Sequence, residues 1–364
     1  MALTKVDQTM VSDQVFGRRN LVVNGAMRVA QRGTSSSGIS SGGDYLTIDR
    51  FRFSMSSAGT WTISQSTTVP SGEGFAYSQK IDCTTADASL DASNYLLWVT
   101  ALEGQNLQHT KFGTSSAEKL TLSFWVRSAK TGTYVVEFIN SAAAGSRTQS
   151  QSYTISSANT WEKKTITIDG DTATAFDNST AGDLALYFWL AAGSNYSGGT
   201  LNTSWNSSTN ANRAAGQVNL ADSTSNDWYI TGVQLEVGDN ATPFEHLSYG
   251  EDLALCKRYY EEIGRSGVAY ERFGVGWTTS NSGAFAVFYE VEKRGTPSVS
   301  ISDVGHFNVY TTNGVATGTG QSVTDVSTIS YNQNITGISS TAGYGAMLIR
   351  DASDAARIKI SADI

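Results

Sequence analysis

A period of two constrains this chain more than any other feature. In LTLSFWVRS (120–128) and GTYVVEFIN (132–140), apolar and polar residues alternate, as a pleated ribbon requires when successive side chains point to opposite faces. The rhythm returns at Thr60–Ser66, Phe75–Ile81, Ser93–Val99, Gln151–Ile155, Trp161–Ile168, Leu184–Leu190 and Tyr229–Val237. Turn residues separate these runs at intervals of roughly 8 to 14 residues, the spacing of an antiparallel sandwich. Leu21–Val23 reads as a short strand before an Asn24-Gly25 turn, Ser35–Gly43 as a Ser/Gly loop, and Tyr45–Phe53 as a further strand. The expected fold class is all-β.

One helix signal stands out. Ser248 and Glu251 have the S-x-x-E spacing of a capping box, Leu253, Cys256, Tyr260 and Ile263 recur at steps of three and four, and Gly264 stands where a left-handed stop is wanted. A connecting helix is therefore expected over 248–264. A helix of about four turns is marginal alone, so its stripe must pack on a neighbouring surface. Beyond it, alternation resumes at Val268–Trp277, Ala284–Val291, Val299–Ile301, Phe307–Tyr310, Val326–Ser330, Ile335–Ile338, Gly345–Leu348 and Arg357–Ala362. The expected organisation is an arm at 1–17, a sandwich at 18–247, the helix, and a second, smaller β-domain at 265–364.

Several function classes lack their residues. Only 16% of the chain is charged, against about 25% in ordinary globular proteins, so surface polarity comes from Ser, Thr, Asn, Gln and Gly. A formal net charge of -8 without a Lys/Arg cluster argues against a nucleic-acid partner. No run of 18 apolar residues occurs, so membrane insertion is not expected, and MALTKVDQTMVSDQVFG lacks the apolar centre of a signal peptide. Cys83 and Cys256 are expected to be free, buried thiols. His109, His246 and His306 lie far apart without the spacing of metal ligands, and GISSG (38–42) sits in a Ser/Gly loop rather than at a strand-to-helix elbow. Neither metal nor cofactor is expected. Glu137, Glu162, Asp169 and Asp171 are the acids that glycoside cleavage would draw on, but their spacing in space is not legible. Asp49 and Arg50, neighbours on an expected strand, should find different partners.

The long polar stretch Ala192–Asn226 is the candidate site. Tyr196 and Trp205 lie there with Asn195, Asn202 and Asn206, a set that offers aromatic faces for sugar rings and amides for placed hydrogen bonds. The other reading is that Trp205 folds back and pins the loop. Trp61, Trp98, Trp125, Trp161, Trp189 and Trp228 fall in strand patterns and read as core or interface packing.

The phrases NLVVNGAMRVAQRG, DYLTIDRF, ALEGQNLQ, KLTLSFWVRSAKTGTYVV, NTWEKKTITIDGD and WYITGVQLEVGDNATPFEHLSYGEDLALCKRYYE follow one another over residues 18–262. In that order they resemble bacteriophage tail-fibre and related virion fibre proteins, whose module is similar to the carbohydrate-binding jelly rolls of polysaccharide-degrading enzymes. The resemblance implies an antiparallel jelly-roll sandwich with the C-terminal part distal; that the distal part is itself sandwich-like is expected from its strand pattern alone. It also implies fixation to tail or capsid proteins through 1–17 and a homotrimer, and with the missing catalytic residues the expected work is adhesion of the virion to a host surface glycan without catalysis. Leu253, Cys256 and Tyr260 are then the candidate contact between protomers. A head fibre, a spacing adaptor and a surface depolymerase are the alternatives. Many such jelly rolls hold a calcium ion with acids after the first turn and in the last strand; here Arg28 and Thr231-Gly232 stand near those places, so that ion is not expected.

Overall fold

The computed structural model describes residues 18–142, 146–264, 268–352 and 355–364, and the chain divides into two compact units after Asp252. The arm expected at 1–17 lies outside the described residues. None of the helices among the described residues is long and apolar enough to cross a membrane.

The first unit contains β1 (Ser35–Asp44), β2 (Arg52–Ser66), β3 (Ser78–Thr85), β4 (Tyr95–Glu103), β5 (Leu120–Ser128), β6 (Gly132–Asn140), β7 (Arg147–Ile155), β8 (Glu162–Ile168), β9 (Gly182–Ala192), β10 (Asn206–Ser207) and β11 (Asp227–Val237). They run in the order β10-β7-β6-β9-β4-β2-β3-β11-β5-β8, with β1 beside β2. The ladders are antiparallel throughout.

The first half of β2 pairs with β4, Phe53 opposite Trp98, and its second half with β3, Ile63 opposite Ile81. Between the halves Ser57 and Gly59 have φ of 46 and 81. A Cβ on Gly59 would lie 2.4 Å from the Thr85 carbonyl oxygen, so this corner needs glycine. By turning there, one strand belongs to both layers and folds the ladder into a jelly-roll sandwich. The inner phase of each strand fills the space between layers: Leu120, Leu122, Phe124 and Val126 of β5 are all fully buried. Rings from the two layers meet at the centre, Trp98 against Trp228 at 5.7 Å and Phe124 against Phe188 at 5.2 Å.

Three expectations about this unit change. Ser35–Gly43, read as a loop, belongs to β1; its side chains are almost all exposed, so no alternation marked it, and its ladder with β2 supplies the order. Tyr45–Arg50 is not strand, because Arg50 takes a left-handed φ of 74. Asp49 and Arg50 nonetheless have separate partners, Gln31 at 2.5 Å and the Ala101 carbonyl at 2.5 Å. Leu21–Val23 forms no strand either; it runs along β11, where Leu21 donates to Leu235 and the Asn20 side chain bridges Val233 and Leu235. The Glu245 carboxylate accepts from the Arg19 and Asn20 amides beside it.

The capping box forms as read: Glu251 donates to the Ser248 hydroxyl and Ser248 to the Glu251 carboxylate. The helix is shorter than expected, however. It spans Tyr249–Lys257, and Tyr260–Ile263 is a strand, β12. Pairing of β12 with the chain's last strand, Tyr260 opposite Ser361, takes over from helical bonding. Cys256 and Tyr260 thus sit on different elements and are buried, while Leu253 is half-buried. The expected stripe of Leu253, Cys256 and Tyr260 is therefore not one helical face: Cys256 and Tyr260 are covered within the chain, and Leu253 keeps part of its surface open.

The second unit adds β13 (Arg272–Thr278), β14 (Ser282–Phe288), β15 (Ser298–Ile301), β16 (Phe307–Thr311), β17 (Gly314–Thr317), β18 (Gly320–Thr324), β19 (Ser330–Thr336), β20 (Gly345–Arg350) and β21 (Ile358–Ser361). A seven-stranded sheet, β17-β16-β20-β13-β14-β19-β18, packs on the three-stranded β12-β21-β15. Phe273, Phe285, Phe307 and Leu348 of the first sheet share a core with Ile358 and Ile360 of the second. The strand expected at Val326–Ser330 is mostly the turn leading into β19. At the sheet margin Lys293 is buried against Glu261 at 2.6 Å and also donates to the Lys257 and Val291 carbonyls.

Candidate functional site

The polar stretch 192–226 is not a projecting loop. It lies on the outer face of the β4–β9–β6–β7 layer, where the helical turn α1 (Ser194–Ser197), β10 and two 3-10 turns give it structure. Backbone bonds fasten it along its length: Gly193 donates to Asn94, Ser150 to Asn202, and Val218 to Thr133. Beneath it the Arg213 guanidinium reaches the fully buried Glu137 carboxylate at 2.8 Å, and the Trp189 indole donates to the same group at 3.1 Å. Burial lifts the Glu137 carboxyl above its ordinary range, and Arg213 opposes that lift.

The structure does not bring Tyr196 and Trp205 to one place. Tyr196 packs against Trp189 and Tyr95 on the outer face, with ring centroids 5.4 and 5.7 Å away. Trp205 leans on Phe112 at 5.8 Å beside the inner core, and its indole donates to the Asp169 carbonyl at 2.7 Å. Asn202 bonds the Thr148 carbonyl, Asn206 bonds Asn202 and Ser204, and the exposed Asn195 holds the chain through its amide to Ala92. These contacts describe the pinning role. The four candidate acids are likewise partnered: Glu137 with Arg213, Glu162 with Lys164, Asp169 with Lys119, and Asp171 with Arg147.

An open cleft of about 490 Å³ lies instead on the outer face of the other layer. Ser123 and Trp125 of β5, Lys163 of β8 and Gly232 of β11 form its floor, and residues 72–75 and 241–246 form its walls. Trp125 and Lys163 are directly opposite in the ladder, so their side chains share that face. Phe75, Phe244 and His246 make an aromatic wall with centroids 4.9 to 5.2 Å apart. Gly232 makes room for it: φ is 64, and a Cβ there would lie 2.6 Å from the Phe75 ring. The 241–246 wall is tied to the outer phase of β11. Glu236 accepts from the Thr242 amide at 3.0 Å, and the Gln234 side chain accepts from the Glu245 amide at 2.8 Å.

The sequence reading assigned Trp125 to packing and His246 to a structural or surface role. The available signal was phase: Leu120, Leu122, Phe124 and Val126 take the core side, which leaves Trp125 in the outward register with Thr121, Ser123 and Arg127. Phe75 and Phe244 lie some 170 positions apart in sequence and had no such signal.

The family models and the curated proteins contain no match to this chain. Solved structures resemble it at low similarity. The enzymatically active domain of bacteriophage CBA120 tailspike protein 4 is 11% identical with a TM-score of 0.32, over 60% of this chain and 21% of that one. A putative sugar binding protein from Bacteroides thetaiotaomicron is 11% identical with a TM-score of 0.33, over 60% of this chain and 100% of that one. TmCBM61, in complex with β-1,4-galactotriose, is 9% identical with a TM-score of 0.29, over 60% of this chain and 99% of that one. At TM-scores this low, the jelly-roll assignment rests on the strand order and the two packed layers described above.

Proposed function

We propose that this chain is a non-enzymatic virion fibre protein, displayed in several copies, that holds its particle to a surface polysaccharide of a bacterial host. The observation that carries the adhesive part is the open cleft of Phe75, Trp125, Phe244 and His246. Its volume falls within the roughly 300–1,000 Å³ of small-ligand sites, and its aromatic faces stand beside Lys163, Glu73, Thr242 and Ser123, which can bond hydroxyls. Such a surface suits the apolar face of a sugar ring with polar groups around its edge. Glycoside hydrolysis takes two carboxylates about 5 to 10 Å apart, and Glu73 is the one carboxylate among the cleft's described lining residues, which favours holding over cutting. The virion placement is supported by the ordered sequence phrases over residues 18–262.

Retention of the full chain on host polysaccharide tests the adhesive part. Trp125→Ala should weaken it about tenfold, equivalent to about 1.4 kcal/mol, with the melting temperature unchanged. Equal retention of wild type and variant, or sugar release on incubation, would overturn it. Gold-labelled antibody on intact particles tests the placement, with label on a fibre expected.

A further inference from the structure

In the second unit, the seven-stranded sheet buries one face and leaves the other open. Of ten exposed large apolar side chains among the described residues, nine lie between Val268 and Tyr344. On the open face Val315, Tyr310 and Met347 stand directly opposite one another across β17, β16 and β20, and Ile349 stands opposite Arg272 of β13. With Tyr270 they line an open cleft of about 390 Å³. Two features separate it from a bare apolar patch. Tyr270 is held at a left-handed φ of 60, a strain that bulky residues rarely carry and that gathers at ligand sites. Arg272 is exposed, and among the described residues no carboxylate pairs with it, whereas Arg350 and Arg357 in the same unit have Glu271 and Glu262.

A lone guanidinium that shares a cleft with two tyrosines, Met347, Ile349 and Val315 is complementary to a ligand with one anionic group on a largely apolar ring face. We propose that this cleft binds an acidic saccharide, with Arg272 on the sugar carboxylate and Tyr270 and Tyr310 against the ring. The choice of a saccharide rests on the adhesive reading above. The charge supplies the class: guanidinium meets carboxylate through two parallel hydrogen bonds, and a neutral sugar would leave Arg272 unused.

The test is binding of the full chain to an array of uronate- and sialate-bearing oligosaccharides beside neutral ones, read at two salt concentrations. Wild type should bind acidic members and weaken as salt rises. Arg272→Gln and Tyr310→Ala should each lose at least tenfold on those members, with the melting temperature held. Wild type that binds no acidic member, or Arg272→Gln that binds them as well as wild type does, overturns the proposal. Trp125→Ala separates the two readings: loss of host-polysaccharide retention in Trp125→Ala together with undiminished acidic-array binding in Arg272→Gln sinks this inference and leaves the first-unit cleft standing, whereas no loss in either variant on either ligand sinks both. Sedimentation is run on the same variants. Dissociation of an oligomer by Tyr310→Ala would make this face a contact between copies and overturn the saccharide.

Discussion

Single side chains carry much of this molecule's arrangement. Gly232 is held at φ 64 beneath the Phe75 ring, so Gly232→Ala should destabilise the first unit by about 1–3 kcal/mol and displace the aromatic wall, read as a lower denaturant midpoint together with weaker glycan retention. Trp205 has the contacts of a fastener; Trp205→Ala should lower stability by about 2 kcal/mol and leave retention intact. Glu162 offers a pH handle. Burial raises its carboxyl, but Lys164 and the Ser157 and Ser156 amides outweigh that and hold it below the ordinary 4.5. A depressed folded value means stability present above 4.5 and lost as pH falls through the folded value. Acid unfolding curves should therefore be shallower in Glu162→Gln than in wild type. What sequence reveals at this scale depends on phase. Trp125 could be placed on the outer face because its four alternating neighbours are aliphatic or Phe, whereas Phe75 and Phe244 become neighbours only through the fold.

Elements show why some regions were readable. β5 and β6 match their expected limits, because a buried face imposes alternation on sequence. β1 escaped notice because neither of its faces is buried, and the helix was overextended because the stepped apolar residues run on into β12. There the second Tyr of a Tyr-Tyr pair fits a ladder as readily as a helix. The 192–226 segment has the composition of a displayed loop, and long-range bonds that composition does not encode lay it on a sheet. Its anchor is Arg213 on the buried Glu137. Removing a partner from a buried pair costs about 3–5 kcal/mol, so Arg213→Ala should lower the unfolding free energy by that order and speed amide exchange along 193–218.

For the whole molecule, low charge content fits two units whose outer faces offer neutral hydrogen-bonding groups and aromatic rings. If each unit holds one sugar site, the sites should reinforce each other on a repeating glycan, because the second engagement is intramolecular. Joining Trp125→Ala to Arg272→Gln should therefore multiply the single losses on long polysaccharide, whereas on oligosaccharides too short to reach both sites each substitution should remove only its own site's share of the binding. The bonds of residues 19–21 to Val233, Leu235 and Glu245 hold this segment beside β11 and the stretch that follows it. Tension applied through the two flanking segments would strain this small clasp before it reached the aromatic centre. A pull along those segments should thus part the seam first and leave the two packed layers closed.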